Sequence, residues 1–181
     1  MSDPQISRPL SQRIESVPEF LVHALELEHE SAERYRQLAE TMALHHNHTV
    51  AAVFRLLADM SAAHASEVTA RAEGTLLPEI APWDFKWSCP GSPEMDCLHF
   101  DVSYLMTPLQ ALELALHNET RGRDFYAFVA TDSTSPRVRA LAAEMAAEES
   151  EHVELVTTWV RRERLVTIKV PEDLDPPNLQ G

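Results

Sequence analysis

Two carboxylates stand on stripes that ought to be apolar, and a tyrosine follows each at the same interval. Glu28 precedes Tyr35 by seven residues and Glu119 precedes Tyr126 by seven. Tyr35 precedes His64 by 29 residues, and Tyr126 precedes His152 by 26. Each half of the chain therefore supplies Glu, Tyr and His in the same order. Their neighbours recur in steps of three and four: Leu21, Ala24, Glu28, Ser31, Tyr35, Leu38 and Met42 in the first half, then Leu112, Leu116, Glu119, Arg123 and Tyr126 in the second. Such steps mark a helix face turned toward a core. A carboxylate on that face is costly unless something pairs it. Two such sets restrict the chain to a helical bundle with polar groups facing inward.

Two further stretches carry the same period. Val138, Ala142, Met145, Glu149, His152, Val156 and Trp159 set Glu149 and His152 one turn apart on a seam. Phe54, Leu57, Ser61, His64 and Val68 do the same for His64. A lone histidine on such a seam is usually a satisfied core residue. Helix starts are written as Ser16-Val17-Pro18-Glu19, Thr107-Pro108-Leu109-Gln110 and Ser135-Pro136, and Gly74 is a stop. The expected helices run over about 18–46, 49–73, 108–130 and 136–165. Residues 1–17 read as an N-terminal arm, 18–165 as the bundle and 166–181 as a tail.

The segment 74–107 loses the helical period. It carries Pro78, Pro82, Pro90 and Pro93 among Trp83, Phe85, Trp87, Phe100 and Tyr104. A connection of that length is unusual inside a compact domain, and its aromatic content predicts packing along the outside of the bundle. The fold expected is all-α: a four-helix bundle of two hairpins joined by this crossover between helices two and three. Cys89 and Cys97 are too few for a disulfide framework or a four-cysteine iron site, and read as buried or idle thiols. His45, His46 and His48 form a turn, read as solvated because no carboxylate or cysteine joins them at ligand spacing.

Charge narrows the function. With 29 acidic against 15 basic residues the net charge is -14, which argues against nucleic acid and against an anionic membrane surface. No apolar run approaches the length of a membrane span, and the first residues lack a signal-peptide core. A cytoplasmic location is the expectation.

One Glu from each of two helices and Glu-x-x-His from each of the other two make a di-metal carboxylate layout. Through Glu28-x6-Tyr35, the Phe54-to-His64 segment, Glu119-x6-Tyr126 and Glu149-Ser-Glu-His152, the chain resembles the rubrerythrin branch of the ferritin-like superfamily over about residues 18–162. The resemblance implies a bundle that binds two iron ions, reduces peroxide or dioxygen, or oxidises ferrous iron. It implies Glu149 as a bridge, Glu28 with His64 at one metal position, and Glu119 with His152 at the other. Tyr35 and Tyr126 would donate hydrogen bonds to these carboxylates or simply pack. Ligand softness leaves manganese and zinc open beside iron.

The chain departs from the pattern twice. Helix two reads Ser61-Ala62-Ala63-His64, so one carboxylate is missing. Two divalent ions bring about +4, and three carboxylates leave about +1 before any hydroxide or oxide bridge. Glu67, one turn beyond His64, is either a substitute or a surface residue. The Glu119–His152 position keeps its full set and is expected to bind more tightly. The tail also has no cysteine for a rubredoxin domain, so redox turnover would need an external electron donor. Three readings follow: a di-iron oxidoreductase, an iron oxidation and storage protein, or a bundle with one metal or none serving as a binding module. A homo-oligomer is expected, with a dimer favoured.

Overall fold

The computed structural model describes residues 13–87 and 103–169, with the side chains of 167–169 excepted. It contains four long helices, α1 (Val17–Leu44), α2 (His48–Arg71), α3 (Pro108–Asp132) and α4 (Pro136–Lys169), and one short 3-10 turn at Pro82–Asp84. No strand occurs among the described residues. The helices start where their caps are written. The Ser16 hydroxyl accepts the Glu19 amide at 3.3 Å. Thr107 and Gln110 form both halves of a capping box, with Pro108 in the first turn. No helix is long and apolar enough to cross a membrane, among the described residues.

α1 packs along α2 and α3 along α4, and the two hairpins close on each other into an all-α four-helix bundle. α1 and α4 run one way, α2 and α3 the other. The crossover must therefore travel the length of the bundle from the end of α2 to the start of α3. Both its described ends are fastened. At the far end the Asn47 side-chain amide donates to the Met106 carbonyl at 2.7 Å. At the near end Phe85 and Trp87 stack on each other and meet the edge of His23. Residues 88–102, with Cys89, Cys97 and Phe100, lie outside the described residues, as do 1–12 and 170–181.

Two sequence boundaries move. α4 runs past Leu165 to Lys169. Residues 13–15, read as part of a loose arm, are docked. Ile14 is buried, and the Glu15 carboxylate accepts hydrogen bonds from the amides of Thr134 and Ser135 and from the Thr134 hydroxyl. These amides sit at the start of α4, where orphan N–H groups and the helix dipole favour a carboxylate.

The core is split in two. One apolar cluster gathers Leu38, Met42, Phe54, Leu57, Leu112 and Val156 at one end. The other gathers Phe20, Leu21, Leu27, Val68, Val138 and Met145 at the opposite end. Each fully buried side chain of this size stabilises the fold by about 1.5–3 kcal/mol. Phe54→Ala would cost about 3–5 kcal/mol. Between the two clusters all four helices present polar groups at the same level: Glu28, Ser61 and His64, Asn118 and Glu119, Glu149 and His152.

Candidate metal centre

Each inward carboxylate comes from a helix whose stripe is otherwise apolar. Glu28, Glu119 and Glu149 are 2%, 5% and 2% exposed. His64 and His152 reach the same level from α2 and α4, and their rings stack with centroids 4.3 Å apart. Glu149 lies between them. Its Oε1 is 3.2 Å from His64 Nδ1 and its Oε2 is 3.7 Å from His152 Nδ1. Glu28 Oε1 approaches His64 Nδ1 at 3.8 Å, and Glu119 Oε2 approaches His152 Nδ1 at 3.6 Å. One ligand atom each from His64, Glu149 and His152 falls within 4.8 Å of the others, close enough to share an ion.

The tyrosines cross between hairpins. Tyr126 on α3 donates to Glu28 Oε1 on α1 at 3.3 Å, and Tyr35 on α1 donates to Glu119 Oε1 on α3 at 3.4 Å. α1 and α3 run antiparallel, so the seven-residue interval on one helix meets the same interval on the other in reverse. Both rings are buried, and each belongs to a different apolar cluster. Each therefore anchors its hydroxyl from the dry core outward.

Protonation shows what the pocket asks for. Burial raises the Glu28 carboxyl to about 7, and the charge of Glu149 pushes the same way. Burial likewise raises Glu119. Burial alone would lower His64, but the hydrogen bonds and charges of Glu149 and Glu28 outweigh it and lift the imidazole to about 10. The hydrogen bond to Glu119 raises His152 despite burial. Without a metal, protons supply the positive charge that three clustered carboxylates require. A divalent cation supplies it more completely, and carboxylate oxygen with imidazole nitrogen is a donor set suited to iron, manganese or zinc. The residues therefore fit a metal.

Ser61 is buried beside the cluster, with its hydroxyl donating to the Leu57 carbonyl of its own helix at 3.3 Å. Glu67 is exposed on α2, away from the inward face, so the structure brings no carboxylate from α2 into the centre. His45, His46 and His48 are exposed at the α1–α2 turn, as read from sequence. Two buried polar residues escaped that reading. Asn118 lies on a second stripe of α3, Ala111, Ala115, Asn118, Gly122, Phe125 and Val129, all buried. His23 is fully buried on α1; its Nδ1 donates to the Glu19 carbonyl and its Nε2 accepts the Lys86 amide, each at 2.9 Å. Steps of three and four around each were the signal available.

The rubrerythrin family profile matches residues 110–174, which include Glu119, Glu149 and His152. A crystal structure of an uncharacterised conserved protein from Magnetospirillum magnetotacticum MS-1 is 41% identical, with a TM-score of 0.61, covering 81% of this chain and 95% of its own. The chain belongs to the rubrerythrin-like branch of the ferritin-like family. No curated protein matches it significantly. For this rubrerythrin-like chain the family supports metal binding, and the His and Glu cluster at mid-bundle is where a metal would sit.

Proposed function

We propose that this protein is a di-iron oxidoreductase that reduces peroxide or dioxygen with electrons from an external donor. The observation that carries the reading is the paired crossing of Tyr126 to Glu28 and Tyr35 to Glu119 around Glu149. A core that needed only stability would not bury three carboxylates at one level. Glu28 and His64 would hold one ion, Glu119 and His152 the other, with Glu149 shared. Iron bound here would supply two one-electron equivalents, the number that takes peroxide to water.

The protein's own part is positional. The Tyr35 hydroxyl occupies Oε1 of Glu119 and leaves Oε2 facing His152, whereas Tyr126 and His64 approach the same oxygen, Oε1, of Glu28. The two apolar clusters close off the level between them at either end. Glu28, with its carboxyl near neutrality before loading, and His64 give up their protons as a cation enters. Ser61 favours a second reading, in which the α2 side is too poor in carboxylate and one ion is held.

Anaerobic loading of the chelated protein with ferrous iron tests both. The di-iron reading expects two ions per chain and rapid oxidation, seen as a rise in ferric absorption, on adding one equivalent of peroxide. One ion per chain supports the second reading. Iron that stays ferrous in peroxide removes the oxidoreductase.

A further inference from the structure

A line of aromatic rings runs from the mid-bundle level to the outside of the bundle. Tyr126 is fully buried, and its hydroxyl donates to Glu28 Oε1 at 3.3 Å. Phe125, the preceding residue of α3, is also buried, with its ring centroid 5.4 Å from that of Tyr126. Phe125 in turn meets Trp87 edge-on, with centroids 6.0 Å apart. Both spacings are those of aromatic pairs in contact. Trp87 lies on the crossover and is half-buried. Its place is fixed from several sides. Phe85 stacks on it at 4.5 Å, and the His23 ring meets it edge-on at 5.4 Å while stacking on Phe125 at 6.4 Å. The Lys86 amide, one residue before it, donates to His23 Nε2 at 2.9 Å, and the Lys86 ammonium pairs with Glu19. Packing alone asks only for apolar volume. Here the two kinds of side chain that most readily give up an electron, tyrosine and tryptophan, stand at the two ends of the line.

We propose that Trp87, Phe125 and Tyr126 form a relay that passes single electrons from the crossover surface to the mid-bundle centre. The inference rests on the oxidoreductase reading above and names the place where its external donor delivers. An oxidising equivalent left at the centre by peroxide takes one electron from Tyr126, and the hydroxyl proton moves along its hydrogen bond to Glu28. Trp87 refills Tyr126 with one electron across the Phe125 ring, and Glu28 returns the proton. A one-electron reductant at the surface then restores Trp87. One electron has then moved inward, with no proton gained or lost.

Metal-free protein tests the relay without turnover. The oxidant is a photoexcited ruthenium complex with persulfate. The background carries Trp83→Phe and Tyr104→Phe, because Trp83 and Tyr104 are exposed and would react first. Transient absorption is expected to show a tryptophan radical that decays as a tyrosyl radical grows. The tyrosyl signal is lost in Tyr126→Phe and in Trp87→Phe, both of which keep a ring in place, and persists in Tyr35→Phe. Phe125→Leu slows its growth and leaves the yield of the tryptophan radical unchanged. A tyrosyl signal that survives Trp87→Phe, or that disappears in Tyr35→Phe instead, would overturn the proposal, as would the absence of any tyrosyl radical. Iron-loaded wild-type protein given excess peroxide and no reductant should then show oxidised Trp87 by peptide mass spectrometry, and Tyr126→Phe should not. Equal oxidation of Trp87 in the two would show that peroxide attacks it directly, and would sink the relay. Iron that stays ferrous in peroxide fails the oxidoreductase reading whatever the photochemistry gives, and the relay then has nothing to serve.

Discussion

Glu149→Ala is expected to remove metal from both positions at once. Glu149 faces both histidines and is 2% exposed, so no solvent-borne group can easily replace it. Ion binding at about 1,000 times Kd stabilises a folded chain by about 4 kcal/mol, or about 8–16 °C in Tm at this size. The wild-type protein should gain that much on loading, and the variant nothing. The metal-free variant should change far less. Losing Glu149 removes an attraction to His64 and His152, but also a repulsion toward Glu28 and Glu119. The two oppose each other. Glu149→Gln keeps the volume and separates lost charge from lost packing. Metal content after gel filtration, with calorimetric melting before and after ferrous iron, reads both quantities. Two ions retained per chain, or an undiminished rise in Tm, would refute the assignment of Glu149 as the shared ligand.

The remaining perturbations reach the other parts of the centre. Ser61→Glu should tighten the weaker of two binding steps in calorimetric titration while lowering the Tm of the metal-free protein. An unchanged weaker step would show that α2 at this level does not border the metal. The metal-free protein should lose stability toward alkaline pH. His64 is raised to about 10 from an ordinary 6.5, so its contribution is complete below about pH 6.5 and fades as pH rises through 10. Glu28, raised from 4.5 to about 7, fades in the same direction between those values. A melting series on chelated protein that is flat from pH 7 to 10 would contradict this. His23→Leu would leave the Lys86 amide unpaired, costing about 1–3 kcal/mol and freeing Phe85 and Trp87 to faster proteolysis. Metal content should stay unchanged; its loss would mean that the crossover supports the centre.

The helical period placed Glu28, His64, Glu119, Glu149 and His152 on apolar stripes, where polar residues stand out; grouping them as one set took the repeat and the family resemblance. The tyrosines were legible only as a repeat. That Tyr126 reaches Glu28, and not the Glu119 of its own helix, follows from the antiparallel run of α1 against α3, which no local pattern encodes. Asn118 shows the limit more sharply. Its stripe of Ala111, Ala115, Gly122, Phe125 and Val129 was readable, but Asn is neutral and small enough to pass as a loose core contact. Only its hydrogen bond to Tyr35 places it beside the centre. His23 was hidden for a related reason: its partners, the Lys86 amide and the ring of Trp87, come from a segment without periodicity. Residues 13–15 were read as an arm because polar residues near a chain end carry no signal of docking. The start of α4 decided otherwise, by offering amides to Glu15.

The repeat of Glu, Tyr and His is broken at Ser61. Ser61 stands where Glu149 would have its counterpart, so the His64 side lacks a carboxylate. A centre made from two equal halves would have no reason to fill in order. On the proposed assignment the Glu119–His152 position has the fuller ligand set. An ion arriving at His64 must displace a proton from an imidazole raised to about 10. The shared Glu149 couples the two events. An ion held beside His152 would draw on Glu149 and would ease release of the proton at His64. If two ions are held, the first would thereby ease entry of the second on the side that lacks a carboxylate.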